Sequence, residues 1–265
     1  MMAKTYKHSR RTDDGPVATV ALARPDARNA LNAGLIEELA RCFGEIADDD
    51  GVRVVVLTGE GRSFCAGADV GYMRRTAEFS YEENVEDARL LAAMFAAVDG
   101  CPKPVVAKVR GAAIGGGAGL VAAADVAVAE EGTVFAFTEV RLGILPAVIS
   151  PFVARKIGHS HSRALFLTGE RFDATRARTM GLVHEVVAEG DLDGAVAEKT
   201  GQLLAGGPDA LAATKGLLRE IWGSSPDEAA ETTARLIAEL RTGEEGQEGL
   251  GAFLEKREPG WRAGS

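Results

Sequence analysis

The sequence is short of the residues that mark several specialised classes of protein. Only three of its 265 residues are cysteine, and none has the CxxC spacing of a redox or zinc site. No apolar run reaches the roughly 20 residues that a membrane-spanning helix needs. No apolar segment follows Met1 as it does in a secretory signal. We therefore expect reduced thiols, a cytoplasmic location and no membrane partner.

Positive charge is also scarce. The chain has 30 Lys and Arg against 39 Asp and Glu, which leaves a formal net charge of -9. A nucleic-acid partner would be held mainly through phosphate contacts, and this balance argues against one. A few local cations would still be enough to hold a smaller polyanionic ligand.

Glycine is the residue in excess, with 32 of 265 residues, about 12 %, against a usual ~7 %. The rest of the chain shows a pattern that predicts alternating strands and helices, followed mostly by helices. Apolar and β-branched runs predict strands at 52–57, 104–109, 125–129 and 133–137, after a hairpin within 5–23. Helical spacing and caps predict helices after Asn32 and at 84–98, 174–180, 192–204, 209–222 and 227–240. We predict an α/β fold with a core at 1–200 and a helical region at 201–265.

Two glycine-containing loops each follow a predicted strand, around Gly67 and at Gly115–Gly117. The second differs from a dinucleotide fingerprint, because Leu120 stands where the third glycine belongs. Unpaired N–H groups at a helix start favour an oxygen that gains negative charge, so the two loops together predict an oxyanion hole. The alternative is that these glycines only permit close packing of helix on strand.

Several stretches resemble the enoyl-CoA hydratase/isomerase, or crotonase, superfamily, in the right order along nearly the whole chain. They are RPDARNALN at 24–32, FCAGAD at 64–69, GAAIGGG at 111–117, EVRLGILP at 139–146, and residues 248–257. The resemblance implies a crotonase-like spiral of ββα units with a helical C-terminal trimerisation region. It also implies a homo-oligomer, either a trimer or a dimer of trimers, and an acyl-CoA substrate. Coenzyme A would be part of that substrate, with no separate cofactor and no metal.

The resemblance also assigns roles to residues. The backbone N–H groups of Ala68 and Gly116 would form the oxyanion hole, and Glu139 would be the catalytic acid/base. The alternative for Glu139 is a capping or salt-bridging carboxylate near Arg141. The residues expected to bind CoA or substrate are Arg28, Ala66, Asp69, Val70 and Lys256, with Lys256 reaching the CoA of its own or a neighbouring subunit.

The sequence departs from the family pattern at one catalytic position. Typical hydratases of the superfamily carry two glutamates, and the first falls here on Gly119, which has no side chain. Residues 117–122 and 146–153 resemble methylglutaconyl-CoA hydratase-like bacterial members, and 147–150 replace a glycine-rich segment. We therefore expect hydration of 2-enoyl-CoA, with a branched or carboxylated acyl chain. The alternatives are a Δ3–Δ2 enoyl-CoA isomerase and a catalytically impaired acyl-CoA-binding homologue.

Overall fold

Two β-sheets and ten α-helices make up the computed structural model, which describes residues 2–262. The larger sheet has seven strands, and their order across the sheet is β1 (Met2–Thr5), β2 (Ser9–Asp14), β3 (Val17–Leu22), β4 (Val54–Gly59), β5 (Val105–Val109), β7 (Val126–Glu130) and β10 (Glu185–Val187). The smaller sheet has the order β6 (Ala112–Ile114), β8 (Val134–Ala136) and β9 (Arg171–Asp173).

The predicted hairpin is confirmed. Strands β2 and β3 pair antiparallel, with Asp14 opposite Val17, and Gly15 has a φ of +55° in the turn between them. From β3 onward the pairs β3–β4, β4–β5, β5–β7 and β7–β10 are parallel. Parallel neighbours need crossover connections, so helices separate these strands in the sequence.

The helices are α1 (Ala33–Ala47), α2 (Val70–Thr76), α3 (Tyr81–Gly100), α4 (Gly116–Ala123), α5 (Ser150–Thr168), α6 (Ala174–Thr179), α7 (Leu192–Leu204), α8 (Pro208–Glu220), α9 (Pro226–Thr242) and α10 (Glu244–Glu255). Helix α1 begins as predicted, because the Asn32 side chain accepts a hydrogen bond of 2.8 Å from the Leu35 N–H. Helix α3 begins three residues earlier than the prediction at 84, where Ser80 and Glu83 form a capping box.

The core lies between the larger sheet and the helices, and its largest fully buried side chains include Phe43, Phe64, Phe95, Phe135 and Phe137. The three cysteines are free and buried. The α/β prediction is confirmed. The predicted division after residue 200 falls inside α7, and it stays a prediction.

Candidate active site

Backbone pairing holds the two glycine-containing loops side by side. The Cys65 N–H donates to the Ala112 carbonyl at 2.9 Å, and the Ile114 N–H donates to the Cys65 carbonyl at 3.0 Å. This parallel bridge pairs Cys65 with Ala113. Ala68 and Gly116 each stand three residues beyond the bridged pair, and both line one cavity of about 370 Å³.

The N–H groups of Ala68 and Gly116 have no hydrogen-bond acceptor among residues 2–262. Gly116 is the first residue of α4, where an amide has no partner within the helix and carries the positive end of the helix dipole. Ala68 itself pairs with Leu31 in a second parallel bridge, in which the Leu31 N–H donates to the Gly67 carbonyl at 2.7 Å and the Asp69 N–H donates to the Leu31 carbonyl at 2.9 Å. Two fixed, unpaired donors at one cavity suit an oxygen that gains charge.

Close packing of these loops also requires glycine. A Cβ at Gly117 would lie 2.4 Å from the Cys65 carbonyl oxygen, so no side chain fits there. Gly67 has a φ of +98°, a conformation that disfavours other residues. Close packing against Cys65 therefore explains the glycine at 117. The free N–H groups of Ala68 and Gly116 are present in addition to this packing.

Glu139 lines the same cavity, at the first residue of a 3₁₀ turn (Glu139–Leu142). A Cβ at Gly115 would lie 2.9 Å from Glu139 Oε1, so the carboxylate stands directly beside the glycine loop. Its Oε2 atom is buried and has no hydrogen-bond partner among the described residues. Burial raises the pKa of Glu139, and its own backbone N–H only partly offsets this.

The salt-bridge alternative for Glu139 finds no support among residues 2–262. No described cation pairs with its carboxylate, and the Arg141 side chain instead packs on Gly169, where a Cβ would lie 3.1 Å from Nε. A half-buried carboxylate with a raised pKa and one buried oxygen free of partners is the type of group that moves protons in an active site.

Apolar side chains fill the place of the family's first glutamate. A Cβ at Gly119 would lie 2.4 Å from Ile149 Cγ2 and 3.0 Å from Phe95 Cε1. Ile149 belongs to the segment at 147–150 that departs from the family pattern, and it also lines the cavity. The structure therefore places only one of the family's two glutamates at this site.

Helices α2 and α3 supply part of the cavity wall that the sequence did not predict: Tyr72, Met73, Thr76, Asn84, Asp87, Ala88 and Leu91. The Tyr72 hydroxyl donates a hydrogen bond to Asp87 Oδ2. The signal was present in α3, because residues 84, 87, 88 and 91 have the spacing of one helix face.

The predicted CoA-binding residues are only partly brought together. Ala66 lines the cavity, and its N–H donates to the Arg28 carbonyl at 3.0 Å, while the Arg28 side chain is exposed. Asp69 faces the protein, because its carboxylate pairs with Arg24 at 2.9 Å and accepts from the Tyr72 N–H at 3.0 Å.

Val70 and Lys256 are exposed, and neither lines the cavity. Lys256 ends α10 in a left-handed conformation. The roles of Arg28, Ala66, Asp69, Val70 and Lys256 in CoA binding stay predictions.

Other candidate sites carry no comparable geometry. Among residues 2–262 no group of three His, Cys, Asp or Glu side chains is placed to hold a metal ion, and no helix there is long and apolar enough to cross a membrane. The His184 Nδ1 atom accepts a hydrogen bond of 2.9 Å from the Ala127 N–H, which fits a packing role.

Comparison with known proteins finds the same family that the sequence motifs resemble. The profile of the enoyl-CoA hydratase/isomerase family matches residues 12–264. A short-chain-enoyl-CoA hydratase of Clostridium acetobutylicum is 31% identical over 246 residues, which are 92% of this chain and 93% of that protein.

Solved structures of enoyl-CoA hydratases and of an enoyl-CoA hydratase/isomerase have a similar fold. That of an enoyl-CoA hydratase from Shewanella pealeana superimposes with a TM-score of 0.93 at 38% identity, covering 96% of both chains. That of an enoyl-CoA hydratase/isomerase from Marinobacter aquaeolei has a TM-score of 0.91 at 34% identity, covering 97% of this chain and 99% of that one.

Proposed function

Because the chain belongs to the enoyl-CoA hydratase/isomerase family and has its crotonase fold, we propose that it hydrates 2-enoyl-CoA thioesters with Glu139 as its single acid/base. The observation that carries the proposal is the placement of the Glu139 carboxylate. The residue is half-buried, its Oε2 atom is buried and has no partner among the described residues, and the carboxylate shares a cavity with the free N–H groups of Ala68 and Gly116.

In the proposed reaction the thioester oxygen accepts hydrogen bonds from the N–H groups of Ala68 and Gly116. The Glu139 carboxylate takes a proton from water while the water oxygen bonds to C3, and the C2–C3 π electrons move toward the thioester oxygen. The two donors stabilise this enolate, each by about 3–4 kcal/mol. Glu139 then returns the proton to C2, so that one water is added and the carboxylate is restored.

The raised pKa of Glu139 supports this role, because a carboxylate with a higher pKa is a stronger base and holds the proton until C2 accepts it. The buried Cys65 is a poor alternative, since burial raises the pKa of its thiol to about 12. A thiol with that pKa stays protonated near neutral pH and is a weak nucleophile.

The proposal also concerns the chemical class of the acyl chain that the cavity accepts. The sequence predicts a branched or a carboxylated chain such as methylglutaconyl. Much of the cavity wall is apolar, with Leu31, Ile36, Leu91, Ile114 and Val148 among its side chains. These side chains support an uncharged acyl chain over a carboxylated one.

A Δ3–Δ2 enoyl-CoA isomerase is the second candidate, and the contact of Ile149 with Gly119 favours it. Moving a proton between C2 and C4 needs one carboxylate and no water, so an apolar group in place of the first glutamate does not hinder that reaction. A non-catalytic acyl-CoA binder is the third reading, because the family's first glutamate is missing.

The test follows the loss of the ultraviolet absorbance of crotonyl-CoA with the wild type and with Glu139→Gln. We expect the variant to lose about 10²–10⁴-fold in kcat, while the exposed Glu131→Gln control keeps wild-type activity. Equal activity of the wild type and Glu139→Gln would overturn the role of Glu139. Conversion of a 3-enoyl-CoA without ¹⁸O uptake from labelled water would favour the isomerase, and CoA binding without any turnover would favour the binder.

The assembly and the location are part of the same proposal. We propose a cytoplasmic trimer or dimer of trimers, with acyl-CoA as the partner molecule. Lys256 does not line the cavity of its own chain, and a neighbouring subunit would give it a route to bound CoA. Sedimentation of the purified protein, with and without acyl-CoA, measures the number of subunits.

A further inference from the structure

We infer that Asp87 makes the acyl cavity selective for uncharged acyl chains and against chains that end in a carboxylate. The inference rests on the proposed function, because it concerns the substrate of the same site. Through Asp87, helix α3 would take part in the choice of acyl chain, a role that the glycine loops and Glu139 do not have.

The charged side chains that line the cavity are all acidic among the residues that the structure describes. Asp87 and Glu139 both line it, and no lysine, arginine or histidine does so among residues 2–262. The exposed Arg74 and Arg75 of α2 do not line it, although Met73 and Thr76 on either side of them do. A carboxylate against this wall would therefore meet two like charges and no cation of the wall; the charge of Arg75 reaches the Tyr72 hydroxyl, but it is the weakest of the influences on that group.

Asp87 is held in place rather than free to turn away. The hydroxyl of Tyr72, which is only 7% exposed, donates to Asp87 Oδ2. Burial and this contact with Asp87 raise the pKa of Tyr72, so the hydroxyl keeps its proton and remains a donor. The other oxygen of Asp87, Oδ1, has no hydrogen-bond or ion-pair partner among the described residues.

The surroundings strengthen the effect of this charge. Ala88 and Leu91 share the helix face of Asp87, and Leu31 and Ile36 line the same cavity. An acyl carboxylate would lose water on entering such a wall and would gain no counter-charge there. A branched or straight alkyl chain has no such penalty and gains apolar contacts.

The experiment compares two substrates that differ by a single carboxylate, crotonyl-CoA and glutaconyl-CoA. We expect the wild type to prefer crotonyl-CoA by at least about tenfold in kcat/KM, and Asp87→Asn to shift that ratio toward glutaconyl-CoA by about tenfold. Glu86→Gln is the matched control, because Glu86 lies on α3 outside this cavity and pairs with Arg89. It removes the same charge from the same helix and should leave the ratio unchanged.

Binding of unreactive thioesters gives a second readout that needs no turnover. Butyryl-CoA and glutaryl-CoA also differ by one carboxylate, and Asp87→Asn should narrow the difference between their dissociation constants about tenfold. Circular dichroism and thermal unfolding show whether the variant is folded. Equal use of crotonyl-CoA and glutaconyl-CoA by the wild type, or an unchanged ratio in folded Asp87→Asn, would overturn the inference. Failure of the proposed function looks different, since the wild type would then hydrate neither substrate.

Discussion

Ile149 occupies the space that a side chain at Gly119 would need, because a Cβ on residue 119 would lie 2.4 Å from Ile149 Cγ2. The two departures from the family pattern, the glycine at 119 and the unusual segment at 147–150, are therefore one packing arrangement. A glutamate at 119 would therefore require Ile149 to move or to be replaced.

Gly119→Glu alone is expected to destabilise the protein by about 1–3 kcal/mol, because the new side chain overpacks against Ile149 and Phe95. Gly119→Glu combined with Ile149→Ala should regain much of that stability. Urea unfolding of the wild type and both variants measures the difference. A single variant as stable as the wild type would show that Ile149 moves aside freely.

Glu139→Gln is expected to be more stable than the wild type at neutral pH, because it removes a charge that burial disfavours. Burial raises the pKa of Glu139 in the folded state, so between the ordinary glutamate pKa and this raised value the folded protein holds a proton that the unfolded chain has released. The penalty on the wild type is absent below the ordinary glutamate pKa and is complete above the raised folded value. Unfolding free energies at acid and neutral pH test this, and a difference independent of pH would contradict it.

Gly115→Ala is expected to lower kcat more than it raises KM. Gly115 has a φ of +51°, and its new methyl group would lie 2.9 Å from Glu139 Oε1, so the carboxylate must move. Gly15→Ala is the matched control, since Gly15 has a φ of +55° and a Cβ there meets nothing within 4 Å. Steady-state kinetics on crotonyl-CoA compare the two, and equal effects would show that the contact with Glu139 does not matter.

Asp69→Asn is expected to lower the unfolding free energy at pH 7 by about 1 kcal/mol. The hydrogen bond from Arg24 holds the pKa of Asp69 below its usual range, so the pair stabilises the fold above the ordinary aspartate pKa and is lost as the pH falls through the lowered value. The gap between wild type and variant should close in acid. Asp69→Ala should cost more, because it also removes the cap of α2.

Local features of the fold could be predicted from the sequence. The Asn32 cap, the turn at Gly15 and the strand at 105–109 each depend on a few neighbouring residues. Strands β6 and β9 were not predicted, because neither lies in an apolar run like the one at 133–137 that marked the equally short β8: β6 falls in the glycine-rich segment, and charged residues flank Phe172 in β9.

In the candidate site, too, only features specified by a few neighbouring residues could be predicted. Short motifs predicted the loops of Ala68 and Gly116 and the place of Glu139 at the same cavity. The wall from α3 was not predicted, because the apolar residues of that helix do not all face inward, and Leu90 is 53% exposed. The contact of Ile149 with Gly119 joins residues far apart in the sequence, and only the fold brings them together.

The bridge between Cys65 and Ala113 has a consequence for how this site can change over time. The two donors it positions are peptide amides, which every residue except proline possesses, so ordinary substitutions at Ala68 or Gly116 do not delete them. In the proposed reaction, acid/base groups and acyl-contacting side chains can then be exchanged while the two N–H donors to the thioester oxygen are retained. Such a scaffold can diversify its substrates without first losing the chemistry that makes any of them reactive.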